Sequence, residues 1–252
     1  MVYSFWFIVG VFLANGIGCV LTVFCLVRMT DRRRSNANRA VLVAGAAWGI
    51  IEAARDDALF VVATAVHLRD DRVRFFLAPG LVLTVVSMLI AVAVLGLAAA
   101  NPTAPRKIGA GVTVGLLTAG MIVQSTLSGR TGFALSIDAP RAAAIAVGFA
   151  AVAAVSVWLA TGATARWAMA TPIMVLAACL TLAQYLIAGE VTTDPTAAVD
   201  DESGLGAIQL IFFSAVTLGV RAIALTVLSM TDEGRVDDDR DPGAIRHADA
   251  RF

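Results

Sequence analysis

Apolar residues run along this chain in blocks of about twenty or more, separated by short polar stretches. Roughly 20 apolar residues, wound as a helix, cross about 30 Å of hydrocarbon. The blocks predict seven such helices, at 4–27, 38–60, 75–99, 108–128, 141–160, 167–188 and 205–229. The second is the least regular, because Glu52, Arg55, Asp56 and Asp57 interrupt it. No strand-like alternation recurs, which argues against a barrel. The expected fold is all-α: a polytopic membrane protein with a seven-helix domain over residues 1–230. Residues 231–252 are different, being Asp-, Arg- and Gly-rich with Pro242 and few apolar side chains. That composition cannot bury a core and predicts a disordered tail, too short for a catalytic domain. Whatever the membrane part detects is then reported through another chain, either a membrane protein partner or a second copy.

Charge sets the expected orientation. Arg28, Arg32, Arg33, Arg34 and Arg39 follow the first span, no basic region precedes it, and no small-residue cleavage site follows it. This reads as a retained first helix and not a signal peptide. The segments 28–39, 100–107 and 161–166 and the tail together carry twelve Lys and Arg; those at 61–74, 129–141 and 189–204 carry five. The basic side faces the cytoplasm, so the N terminus is expected outside and the C terminus inside, in a bacterial cytoplasmic membrane. Composition agrees: 59% of the 252 residues are hydrophobic, 15% are charged, and the net charge of zero gives no support to a nucleic-acid partner. Cys19, Cys25 and Cys179 all lie in apolar spans without a C-x-x-C spacing and read as packing residues.

Each even-numbered span enters from the basic side, behind Arg39, Arg106-Lys107 or Arg166. Each then reaches a polar-bearing position after about 12–18 residues, or roughly 18–27 Å of helix: Trp48 to Glu52, Met121 to Gln124, and Gln184-Tyr185. This recurrence predicts a three-fold repeat of helix pairs plus a closing helix, with all three positions in the outer half of the bilayer.

The stretch from Gly16 to about Ile187 resembles the MHYT domain, a bacterial seven-helix membrane sensor module. The likeness lies in Leu26-Val27-Arg28 at the first exit, the small-residue run Ala44 to Trp48, and Gly115 to Met121. It continues in Ser136 to Pro140 before the fifth span, and in Val157 to Ala160 followed by Arg166. The family carries Met-His-Tyr-Thr-like tetrads on helices two, four and six, which imply a metal, copper by proposal, and gas sensing. Here the second position reads Ile50-Ile51, the fourth Met121-Ile122-Val123-Gln124 and the sixth Ala183-Gln184-Tyr185-Leu186. The tetrad histidines are lost, and the chain's two histidines, His67 and His247, fall in an outer loop and the tail. Imidazole suits copper and zinc, so no metal or other cofactor is expected. The implied class is a sensory or accessory protein that acts through a partner.

Several residues remain as site candidates. Glu52, Arg55 and Asp56 share one helix face. They form a polar cluster for an ion or small polar ligand, which a small transporter or channel would also use, or, more simply, the second helix ends there and the charges meet water. Gln184 and Gln124 read as interhelical hydrogen-bonding amides, and Tyr185 as part of that network or an interfacial aromatic. Arg221 is expected to snorkel toward the cytoplasm, with a functional contact as the alternative. Met121, with Met88, Met169 and Met174, reads as packing before copper(I) ligation. Glu52 is the one carboxylate expected within the membrane, which leaves no paired acids for a proton relay. No catalytic motif occurs, and no enzyme activity is expected.

Overall fold

The computed structural model describes residues 5–30, 35–67, 74–130, 133–162, 169–198 and 205–238. Among these are seven helices: α1 (Phe5–Met29), α2 (Asn36–His67), α3 (Ala78–Ala100), α4 (Ala104–Leu127), α5 (Ala139–Ala160), α6 (Ala170–Gly189) and α7 (Ala207–Asp238). Six of them, all but α2, contain a segment long and apolar enough to cross a membrane. Their outward faces are apolar: Leu81, Val82, Val85 and Leu89 on α3, and Ile208, Phe212, Val216 and Ile223 on α7, are all exposed. Apolar faces of this extent require lipid as their solvent. The chain is a multi-pass helical membrane protein.

Three boundaries depart from the hydropathy pattern. Helix α2 does not stop near residue 60 but continues to His67. Its charged residues are paired inside the bundle, so nothing forces the helix to end where they occur. Helix α7 continues past Met230 to Asp238, so the first part of the expected tail prolongs this helix. The remainder of the tail, His247 included, lies outside the described residues.

The third departure is a set of short strands. Strands β1 (Arg74–Phe75), β2 (Gly129–Arg130) and β5 (Leu205–Gly206) form one small antiparallel sheet in the order β2-β1-β5. Strands β3 (Phe133–Ile137) and β4 (Val191–Ala198) form another. They lie in the connections after α2, α4 and α6, so these three connections meet at one end of the bundle. Two-residue strands are too short to show alternation, and β4 contains Pro195, beside which the register slips between Phe133 and Ala134. Phe75, fully buried, plugs this end with Val11, Leu59, Val62 and Leu210.

Helix α2 is the centre of the bundle and packs against α1, α3, α4, α6 and α7. Two interfaces bring backbones together. A Cβ on Gly18 would lie 2.6 Å from the Gly49 carbonyl oxygen, and one on Gly49 2.7 Å from Thr22 Oγ1. A Cβ on Gly111 would meet Ala154 Cα at 2.5 Å, and one on Gly115 would meet Ala150 Cα at 2.6 Å. In lipid, close approach of small residues supplies the packing that the hydrophobic effect supplies in water. These interfaces join α1 to α2 and α4 to α5, so close approach does not recur within each expected helix pair. Gly115→Val is expected to force α4 and α5 apart and cost about 1–3 kcal/mol, measured by unfolding in mixed detergent micelles. Gly120, with open space beside its Cα, is the control and should tolerate the same change.

Candidate functional site

Among the described residues, the buried charged ones are Arg55, Asp56, Asp57 and Arg221. They form one cluster with Glu52. Its core is a single stretch of α2, which places Glu52, Arg55 and Asp56 on neighbouring turns. Arg55 Nη2 lies 3.0 Å from Glu52 Oε2 and 2.9 Å from Asp56 Oδ1, and Arg55 Nε donates a hydrogen bond to the same Asp56 oxygen at 2.9 Å. Asp57, one position on, faces α7, where Arg221 Nη2 donates to Asp57 Oδ1 at 3.3 Å.

This geometry corrects three expectations. The charges of α2 do not meet water at a helix end: Asp56 is wholly buried and Arg55 and Asp57 nearly so. Arg221 does not snorkel to the cytoplasmic surface. It has no exposed surface, and it sits near the middle of the apolar part of α7, Ile208–Met230, facing Asp57 across the bundle. Nor is Glu52 the one acid inside, because Asp56 and Asp57 join it. A buried ion is tolerable only beside its opposite, and the two arginines supply that.

Helix α7 touches the cluster at two further points. The Phe213 ring lies 5.7 Å from the Arg55 guanidinium carbon, within cation–π range. Ser214 Oγ donates to the Asp56 backbone carbonyl at 3.3 Å. Arg221 lies two turns farther along the same helix, so Phe213, Ser214 and Arg221 line the α7 face turned to α2.

A second, neutral network adjoins the first. Asn15 Nδ2 on α1 donates to Gln184 Oε1 at 2.8 Å and to Thr181 Oγ1 at 2.9 Å, both on α6. Gln184 Nε2 donates to Asn15 Oδ1 at 3.3 Å and to the Ala53 carbonyl of α2 at 3.4 Å. Gln184 therefore ties α6 to α1 and α2. Replacing it with Leu should lower stability by about 0.6–1.7 kcal/mol, the range for hydrogen bonds between membrane helices, read as a lower unfolding midpoint in detergent.

The remaining candidates are dispersed. Met121 is fully buried in the main core among apolar neighbours. Met88 and Met169 are half-buried against that core, and Met174 is exposed. Gln124 lines a narrow cleft with Arg55, Leu59, Leu77, Gly80, Leu81, Ser125 and Ser128, which brings it beside the charged cluster. Tyr185 is half-buried in the aromatic group at the strand-bearing end of the bundle, edge-on to Phe7 with ring centroids 6.4 Å apart. The side chain of His67 is not among the described ones.

Asp57, Asn15 and Ser214 belong to these networks but were not singled out by the sequence pattern. Asn15 carried a usable signal, being an amide in the middle of an apolar block. Asp57 was masked by its neighbours, since Asp56-Asp57 followed by Asp70-Asp71 reads as loop chemistry.

No family model, no curated protein and no solved structure matches this chain. Function is therefore argued from the site itself. Among the described residues, no group of three or more His, Cys, Asp or Glu side chains is arranged to hold a metal ion. What the arrangement supplies is an enclosed set of ionisable groups, three carboxylates and two guanidiniums, contacted by α7 and bordered at Arg55 by the cleft that Gln124 lines.

Proposed function

We propose that this chain is a sensory or accessory protein of a bacterial cytoplasmic membrane, with seven spans, the N terminus outside and the C terminus inside. It acts through a partner membrane protein or a second copy, and the charged cluster of α2 is its responsive element. The observation that carries this reading is the way α7 is held. Only 17% of its membrane-crossing segment is buried, against 50% for α4 and for α6. Beside the apolar contacts of Leu210, Leu225 and Leu228, it is held by Phe213, Ser214 and Arg221, which are contacts to the cluster. A change of charge at the cluster therefore alters the docking of α7, and the extension of that helix to Asp238 carries the change beyond the membrane. The likeness to MHYT modules supports the sensory class, while the loss of the tetrad histidines separates this chain from metal chemistry.

Affinity purification from native membranes in mild detergent tests the reading. A membrane protein recovered in stoichiometric amount, and lost when the α7 extension is truncated after Met230, is the expected result. A solitary monomer that responds to neither crosslinking nor truncation would count against it.

A second reading, a small proton or ion transporter, draws on the buried Asp56 and Asp57 and the partly buried Glu52. Among the described residues, however, no buried charge lies between Arg221 and the basic end of the bundle. Flux across proteoliposome membranes that disappears in Glu52→Gln would favour transport over sensing.

A further inference from the structure

The cluster does not balance. Glu52, Asp56 and Asp57 bring three carboxylates to two guanidiniums, Arg55 and Arg221. If all five groups are ionised, one negative charge is left uncompensated in the interior of a membrane protein. Such a charge is removed by binding a cation or a proton.

The imbalance has a definite place. Asp57 has its own counter-ion in Arg221, whereas Glu52 and Asp56 divide a single guanidinium between them. These two side chains stand one helical turn apart and meet at one guanidinium nitrogen, Arg55 Nη2, which lies 3.0 Å from Glu52 Oε2 and 2.9 Å from Asp56 Oδ1. All three acids have a buried oxygen that accepts no hydrogen bond, Glu52 Oε2, Asp56 Oδ2 and Asp57 Oδ2, but only Glu52 and Asp56 crowd onto one guanidinium. The Glu52 contact with Arg55 is a close ion pair without hydrogen-bond alignment. Two carboxylates forced together cannot both stay ionised at full strength, and a proton between them turns repulsion into a hydrogen bond.

Every neighbouring element leaves this place negative. Helix α1 presents Asn15 and the thiol of Cys19, α4 presents the neutral amide of Gln124, and α6 presents Gln184, with Tyr185 one turn farther out. Helix α3 has no titratable side chain. Helix α7 contributes Ser214 and Arg221, the latter already engaged by Asp57. A metal cation is disfavoured because it needs several ligand oxygens beside the Arg55 guanidinium that already contacts both carboxylates, whereas a proton needs only one oxygen of each.

We infer that the cluster is a proton-binding site, in which Glu52 and Asp56 share one proton. The proton is taken from water and adds to a carboxylate lone pair, with no other bond made or broken in the protein. The cleft lined by Arg55, Gln124, Ser125 and Ser128, between α2, α3 and α4, reaches the cluster at Arg55. The inference uses the same cluster as the sensory reading but does not depend on signalling.

Infrared spectroscopy of the full chain in phosphatidylcholine–phosphatidylglycerol nanodiscs tests it. At neutral pH the wild-type protein should show the C=O stretch of a protonated carboxylic acid, shifted on deuteration, with an intensity of one group per chain. Glu52→Gln and Asp56→Asn should each abolish the band, since each leaves two acids for two arginines, while exposed Asp138→Asn should keep it. An amide imitates the protonated acid in shape, so both variants should fold. Absence of the band from the wild type, which needs no variant, overturns the inference. So does a band that survives both substitutions, or one that sodium or potassium removes at fixed pH, which would make the ligand a metal cation. Because the band is read without any partner, it can persist where the partner experiment fails, and the partner can be found where the band is absent.

Discussion

Arg221→Met is expected to destabilise the bundle by about 3–5 kcal/mol, the cost of leaving one member of a buried ion pair without the other. Arg221 has no exposed surface, and Asp57, its partner at 3.3 Å, is nearly as deeply buried. Without the guanidinium, Asp57 must keep a bare charge in a low-dielectric interior or give it up. The reciprocal change, Asp57→Asn, should also be costly, because Arg221 already has Nε and Nη1 without acceptors and would lose the contact of Nη2. The double variant Asp57→Asn/Arg221→Met is expected to recover most of the loss, since removing both charges removes the cause. Equilibrium unfolding of the four proteins in mixed micelles measures the coupling. A double variant as unstable as the sum of the single ones would mean that the pair contributes packing and not charge compensation. The effect should concentrate on α7, whose few buried contacts make it the first helix to detach.

The pattern of apolar blocks made the helices legible because each span buries or exposes apolar surface along its whole length. Six of the seven blocks correspond to helices both long and apolar enough to cross a membrane, and α2, with 32 residues, departs in composition and not in length. It misjudged α2 for a physical reason. A local window over Glu52, Arg55, Asp56 and Asp57 measures their cost in lipid, but the compensation comes from Arg221, which lies 164 residues away. The same limit explains Arg221, for which snorkelling is the local solution and Asp57 the tertiary one. The amide at Gln184 was legible as an interhelical donor, but its partner, Asn15 on the first helix, was fixed only by the way α1 and α6 pack together. The small strands at the ends of α2, α4 and α6 carry no period that a sequence window can detect, and they exist because three connections converge.

Arg55→Met carries the second large expected effect, and it separates charge balance from helix geometry. Arg55 is the one cation within contact of both Glu52 and Asp56, and its own side chain is only 8% exposed. Its removal leaves two acids together with no cation in contact with either among the described residues, so a loss of about 3–5 kcal/mol is expected here too. The cation–π contact with Phe213 disappears as well, which adds about 0.5–2 kcal/mol and loosens the α7 face directly. Adding Glu52→Gln and Asp56→Asn to Arg55→Met should restore the charge-dependent part but not the Phe213 contact. The triple variant should therefore remain less stable than wild type by the smaller amount. Arg55→Lys distinguishes position from charge. It keeps the positive charge but cannot donate from Nε to Asp56 while also reaching Glu52, because a single ammonium replaces a rigid fork. It should fall between wild type and Arg55→Met in unfolding midpoint. If Arg55→Lys were indistinguishable from wild type, the forked geometry would be irrelevant and only net charge would matter. If the triple variant gained nothing over Arg55→Met, the carboxylates would not be the source of the instability, and the cluster would lose its standing as the responsive element of this membrane protein.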